Sequence, residues 1–128
     1  MALMDPSKET DNKLRWEADC EGVPFQLYVP KSRVPKPWPK RIRVRVGELQ
    51  AKEKHQARSA RLGPLERPIV AILDKVRDHT QTVRFKPRGD PNDWELGEPY
   101  IPRAILPDPE IEVVRIEVQW DRSAGDWS

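Results

Sequence analysis

Alternation of apolar and polar residues with a period of two is the sequence feature that most constrains this fold. The clearest instance runs from Arg41 to Val46, where Ile42 and Val44 alternate with arginines. Successive side chains of a β-strand point to opposite faces, so this run predicts a strand with one buried and one solvated face. Other runs of the same kind predict strands at residues 82–86 and 110–120.

Two alternating runs near the N-terminus flank a turn signal. Residues 13–19 alternate apolar with charged side chains, and residues 24–29 place three apolar side chains on one face. Glu21-Gly22 between them is typical of a turn. We therefore predict a β-hairpin with a loop of about four or five residues.

A proline-rich segment follows the hairpin. Residues 30–39 contain Pro30, Pro35, Pro37 and Pro39. Proline fixes φ and removes a hydrogen-bond donor, so this segment is predicted to be an extended connector rather than a central strand.

The middle of the chain has a different pattern. Residues 48–62 have high helix propensity, and Gly63-Pro64 is a typical helix stop. Residues 65–79 fit two templates, because their apolar residues recur at helical spacing while the run Ile69–Leu73 also fits a buried strand. The helical template matches more positions and favours a second helix at 67–78, with a strand as the alternative.

These elements predict a mainly β (α+β) fold. It is an antiparallel sheet or partly open barrel of about five to six strands, with one or two helices in the middle. One globular domain is expected over residues 12–122. The polar, aperiodic ends, residues 1–11 and 123–128, are predicted to be loose tails that are dispensable for folding. The strand patterns also predict a shared core that comprises Trp16, Phe25, Leu27, Ile42, Val44, Val46, Val83, Phe85, Ile116 and Val118.

Composition bears on the environment of the protein. Cys20 is the one cysteine in 128 residues, so no internal disulfide forms. Secreted domains of this size often depend on disulfides, which favours a reducing compartment. The longest apolar run, Ile69–Leu73, is far too short to span a bilayer. We expect a soluble, cytoplasmic protein that does not bind a membrane.

Charge is distributed unevenly along the chain. Residues 31–62 contain eleven Lys or Arg residues and two glutamates, whereas the segments on either side are net acidic. A chain polarised in this way binds an anionic partner or pairs its own basic and acidic regions.

The strongest candidate site is an anion-binding face within this basic segment. Alternate strand residues are about 7 Å apart, which resembles the spacing of phosphates along one nucleic-acid strand. Single-strand binders also place aromatic residues among basic ones. The competing interpretation is a solvated sheet face, paired across strands with acids such as Glu112 or Glu117. The predicted site comprises Arg41, Arg43, Arg45, Lys36, Lys40, Lys52 and Trp38.

Catalytic and metal motifs have little support. His55 and His79 are the only histidines, and zinc takes three or four ligands. The carboxylates beside Cys20 raise the pKa of its thiol, which argues against a nucleophile. No cofactor and no metal are predicted.

Two classes of function follow. The leading hypothesis is a non-catalytic binding or assembly module whose partner is nucleic acid or an acidic protein surface. That surface includes the acidic C-terminal strand of a second copy, which would give a homo-oligomer. The alternative is a small enzyme or enzyme subunit whose site is assembled between copies.

Overall fold

Antiparallel pairing joins every neighbouring pair of strands in the computed structural model, which describes residues 1–49 and 65–127. These residues form one eight-stranded sheet in the order β3-β2-β1-β4-β8-β5-β6-β7, which curls into a nearly closed barrel. The strands are β1 (Ala2–Glu9), β2 (Lys13–Cys20), β3 (Val23–Pro30), β4 (Pro39–Gly47), β5 (Ile69–Asp78), β6 (Thr82–Pro87), β7 (Tyr100–Pro102) and β8 (Val113–Asp126).

Single 3₁₀ turns occur at Lys31–Arg33, Pro91–Asp93 and Arg103–Ile105. Within the described ranges, no helix has the length and apolar character needed to cross a membrane.

The core lies inside the barrel, where the apolar faces of the strands meet. Nine of the ten predicted core residues are buried, and the tenth, Val46, is partly buried and packs against them. The period-two patterns therefore assigned the inward faces correctly. Burial of these faces supplies the main favourable term in folding.

The predicted hairpin is confirmed as β2 and β3, but its turn is shorter than expected. Cys20 pairs with Val23, so that only Glu21 and Gly22 form the loop. Both have positive φ, 53° and 86° respectively. Two-residue hairpin loops with this backbone match the twist of the flanking strands, and glycine at the second position accommodates it.

The described residues form eight strands and no α-helix, so the prediction of five to six strands with one or two helices is not borne out there. The segment predicted as a helix at 67–78 is strand β5, paired with β8 on one edge and β6 on the other. The apolar residues of β5 fit both periods, and pairing along both edges decides between them, which a local pattern cannot show. The helix predicted at 48–62 lies outside the described residues from position 50 onward, and Glu48 and Leu49 are not helical.

Both predicted tails are largely strand. Residues 2–9 form β1, which lies between β2 and β4 and fully buries Met4. Polar residues, and a register irregularity between Pro6 and Lys8, conceal the strand pattern in this segment. At the other end, β8 continues to Asp126, beyond the predicted end of the last strand.

The barrel is left open along a seam between its terminal strands, β3 and β7. Among the described residues, one backbone hydrogen bond crosses the seam, from the Gly97 amide to the Tyr28 carbonyl over 3.1 Å. The backbone groups of Tyr28 therefore face the seam and, by alternation, so do those of Pro24 and Pro30. Prolines at these positions have no amide hydrogen to donate, so a continuous ladder cannot form across the seam.

Candidate anion-binding face

Strand β4 presents the three arginines of the basic segment on one surface. Ile42 and Val44 are buried in the core, so Arg41, Arg43 and Arg45 project from the outer face of the barrel, about 7 Å apart along the strand. We call these three residues the arginine ladder. The structure thus brings together the central part of the predicted site.

Carboxylates from the two neighbouring strands are interleaved with the ladder. The Nε of Arg41 donates to Oδ1 of Asp5 on β1 over 3.0 Å. On β8, the Asp121 carboxylate lies 3.9 Å from the Nε of Arg43, and Glu117 is the register partner of Arg45. The basic and acidic regions of the chain therefore meet within one molecule, as the solvated-face interpretation expects.

Of the two acids that this interpretation named, only Glu117 lies opposite the ladder. Glu112 instead lies 3.8 Å from the Lys75 ammonium. Asp5 and Asp121 escaped sequence analysis because they belong to segments beyond the predicted strand limits. No local pattern signals that these two carboxylates flank β4.

Hydrogen bonds keep the β8 carboxylates ionised. The hydroxyl and amide of Ser123 both donate to Asp121, and with the nearby Arg43 and Arg41 they lower its pKa. The side-chain amide of Gln119 donates to Glu117 and lowers the pKa of that carboxyl, with smaller contributions from Arg115 and Arg45. Both acids therefore carry a negative charge at neutral pH.

The three arginines differ in how firmly they are paired. Arg41 is held by a direct hydrogen bond, whereas the contact between Arg43 and Asp121 is long and leaves 45% of the Arg43 side chain exposed. The Arg45 side chain is exposed, and among the residues that the structure describes it makes no hydrogen bond or close ion pair, although its charge acts on Glu117 at longer range. Arg43 and Arg45 are thus the ladder residues best placed to contact an external anion.

The remaining predicted site residues lie at or before the start of β4. Lys40 is exposed, at the register irregularity between Pro39 and Arg41. Lys36 is exposed on the proline-rich connector. Trp38 is half-buried against the core, and the Lys31 ammonium lies 5.5 Å from its ring centroid. Lys52 lies outside the described residues.

Of the two histidines, only His79 lies among the described residues. In the parts of the chain that the structure describes, no three His, Cys, Asp or Glu side chains are grouped to bind a metal. His79 occupies the turn between β5 and β6, where its carbonyl accepts two hydrogen bonds from Arg103. Asp78 pairs with Lys75 and Arg103. These contacts link the ends of strands.

Comparison with family models, with curated proteins and with solved structures finds no match to this chain.

Proposed function

We propose that this protein is a non-catalytic binding module that binds single-stranded nucleic acid along the arginine ladder. The observation that carries the proposal is the set of three outward guanidinium groups on one strand, at a spacing that resembles that of successive phosphates. Lys40 adds a positive charge on the same strand, next to Arg41 and near the proline-rich connector. Guanidinium groups suit this role because their planar donors bind phosphate oxygens in pairs.

The neighbouring carboxylates modify the expected contacts. Binding at Arg41 requires a phosphate to compete with Asp5, which already accepts its Nε hydrogen bond. The carboxylates near Arg43 and Arg45 hold these arginines less tightly, so a phosphate meets less competition there. We therefore assign most of the phosphate contact to Arg43 and Arg45.

Assembly through a second copy's acidic strand has less support. That strand, β8, is paired with β4 along eight residues of the same chain, and its carboxylates already face the ladder. A second copy would have to displace these contacts within the chain.

The test is a titration of labelled single-stranded and double-stranded oligonucleotides across a series of salt concentrations. Each phosphate contact contributes about −0.7 to the log–log salt slope for single strands. The double variant Arg43→Gln with Arg45→Gln should lower the magnitude of the slope by about 1.4. The matched control is Arg77→Gln with Arg88→Gln, which removes the same charge from exposed arginines outside the ladder.

Three results would contradict the proposal. The first is no binding of either oligonucleotide at tens of micromolar protein. The second is an equal loss of slope in the ladder and control variants, which would show attraction without a site. The third is a change in sedimentation of the ladder variant without nucleic acid, which would favour the assembly function.

A further inference from the structure

A groove of about 370 Å³ opens at the seam, on the side of the barrel away from the ladder. Its apolar surface comes from two aromatic rings, Trp94 and Tyr100, together with Pro30, Pro91 and Leu96. Leu96 is buried and Tyr100 is 47% exposed. The size falls in the range of ligand sites in proteins, about 300–1,000 Å³.

Some polar groups around the groove already make hydrogen bonds within the chain, and others are available to bind a ligand. The Trp94 indole donates to the Gly89 carbonyl over 3.2 Å, and Arg84 donates twice to one oxygen of Glu98. The Tyr100 hydroxyl and the Lys13 ammonium make no such bond within the described ranges. Both available groups are hydrogen-bond donors.

This combination of surfaces specifies the chemistry of an occupant. An apolar aromatic surface with free donors matches a ligand that presents apolar rings and free acceptors. A proline-rich segment in the polyproline II conformation has those properties, because it forms no internal hydrogen bonds and its prolines have no amide hydrogens. Aromatic-lined grooves are a recurring site for such segments.

We propose that the seam groove binds a proline-rich peptide segment of a partner protein that carries an acidic residue. The proline rings pack on Trp94 and Tyr100, the Tyr100 hydroxyl donates to a peptide carbonyl, and the acidic side chain pairs with Lys13. Because Arg84 and Glu98 neutralise each other, Lys13 supplies the uncompensated charge of the groove. The proposal is independent of nucleic-acid binding at the ladder.

The experiment uses the full chain and three labelled synthetic peptides, with binding measured by fluorescence anisotropy. The first is a proline decapeptide with a central glutamate, the second has lysine at that position, and the third has the glutamate among serines and glycines. The wild type should prefer the first peptide over each of the others by about tenfold, as a charge-assisted contact combined with ring packing allows.

Two variants test the assigned contacts. Lys13→Glu should reverse the preference between the glutamate and lysine peptides, whereas Lys8→Glu, the same charge change outside the groove, should leave it unchanged. Tyr100→Phe removes only the hydroxyl and should weaken binding of the glutamate peptide about fivefold. Thermal unfolding of each variant verifies that it is folded.

The proposal is overturned if no peptide binds at about millimolar concentration, far above the affinity range of specific sites. It is also overturned if the serine-glycine peptide binds as well as the proline peptides, or if Lys8→Glu reverses the preference as Lys13→Glu does. Loss of oligonucleotide binding in Lys13→Glu would assign the groove to nucleic acid instead.

Discussion

The indole of Trp127 packs edge-on against the indole of Trp16, with ring centroids 5.0 Å apart and planes at 82°. The Trp127 amide also donates to the Trp38 carbonyl over 2.7 Å. Since Trp16 is fully buried, the C-terminal segment contributes directly to the barrel core.

Trp127→Ala should therefore lower the free energy of unfolding by about 2 kcal/mol, through lost burial and the lost aromatic pair. Urea denaturation followed by circular dichroism measures the change. Leu3→Ala, which shortens an apolar side chain that is already half exposed, should change stability by about 0.5 kcal/mol or less. Equal effects in the two variants would mean that the Trp127 contact contributes nothing.

The Arg33 side chain forms hydrogen bonds that hold the two sides of the seam together. Its Nε donates to the Glu95 carboxylate in the loop before β7, and its terminal nitrogens donate to the carbonyls of Leu65, Arg67 and Pro68. Only 13% of the side chain is exposed. Strands β3 and β7 are not paired across the seam, so this guanidinium links parts of the barrel that strand pairing leaves separate.

Arg33→Gln should lower the free energy of unfolding by about 2 kcal/mol, because the Glu95 carboxylate and the part-buried Pro68 carbonyl lose a donor, while the Arg67 carbonyl keeps only the Trp120 indole. Arg88→Gln breaks the ion pair with Asp74, which is exposed, and should lower stability much less than Arg33→Gln, because solvent screens exposed ion pairs. Hydrogen exchange at the Gly97 amide provides a second measurement, and it should accelerate in Arg33→Gln but not in Arg88→Gln. Unchanged exchange at Gly97 would show that Arg33 does not fasten the seam.

Cys20 should behave as an unreactive thiol. Burial, followed by the charges of Asp19 and Glu21, raises its pKa, so less thiolate is present at neutral pH than for a free cysteine. Iodoacetamide should therefore modify the native protein much more slowly than the urea-unfolded protein, as measured by intact mass. Equal rates in the two states would contradict this assignment.

The inward faces of several strands could be predicted from the sequence, but the complete set of strands in the sheet could not. Alternation predicted β2, β3, β4 and their buried residues because half-buried strands repeat with a period of two. It missed β1, whose polar composition conceals one buried methionine. It also mistook β5 for a helix, because pairing along both edges is a property of the whole barrel.

The candidate site was predictable only in its central part. The alternation that buries Ile42 and Val44 necessarily exposes the arginines of the ladder, so that local pattern was sufficient. The positions of Asp5 and Asp121 depend on which strands flank β4, which no short-range pattern contains. The seam groove depends on the approach of Tyr100 to the end of β3 and was missed for the same reason.

The acids of β8 should restrain nucleic-acid binding at the ladder. Their lowered pKa values keep Asp121 and Glu117 charged as the pH falls from about 7 to about 5, so acidification over that range should not release the arginines. Their contribution to stability is present above the ordinary carboxyl pKa of the unfolded chain and is lost only as the pH falls through the lowered folded values.

Substitution removes these charges directly. Glu117→Gln should tighten oligonucleotide binding by up to about fivefold at low salt, because it removes a negative charge opposite Arg45. Two unit charges about 4 Å apart interact by about 1 kcal/mol in water, which sets this upper limit. Glu98→Gln is the matched control, since Glu98 pairs with Arg84 on β6, away from the ladder. Oligonucleotide titrations at low salt and at pH values of about 5 and 7 measure both effects. If Glu117→Gln left the affinity of the protein unchanged, the phosphates would not lie beside Arg45, and the assignment of contacts to Arg43 and Arg45 would be wrong.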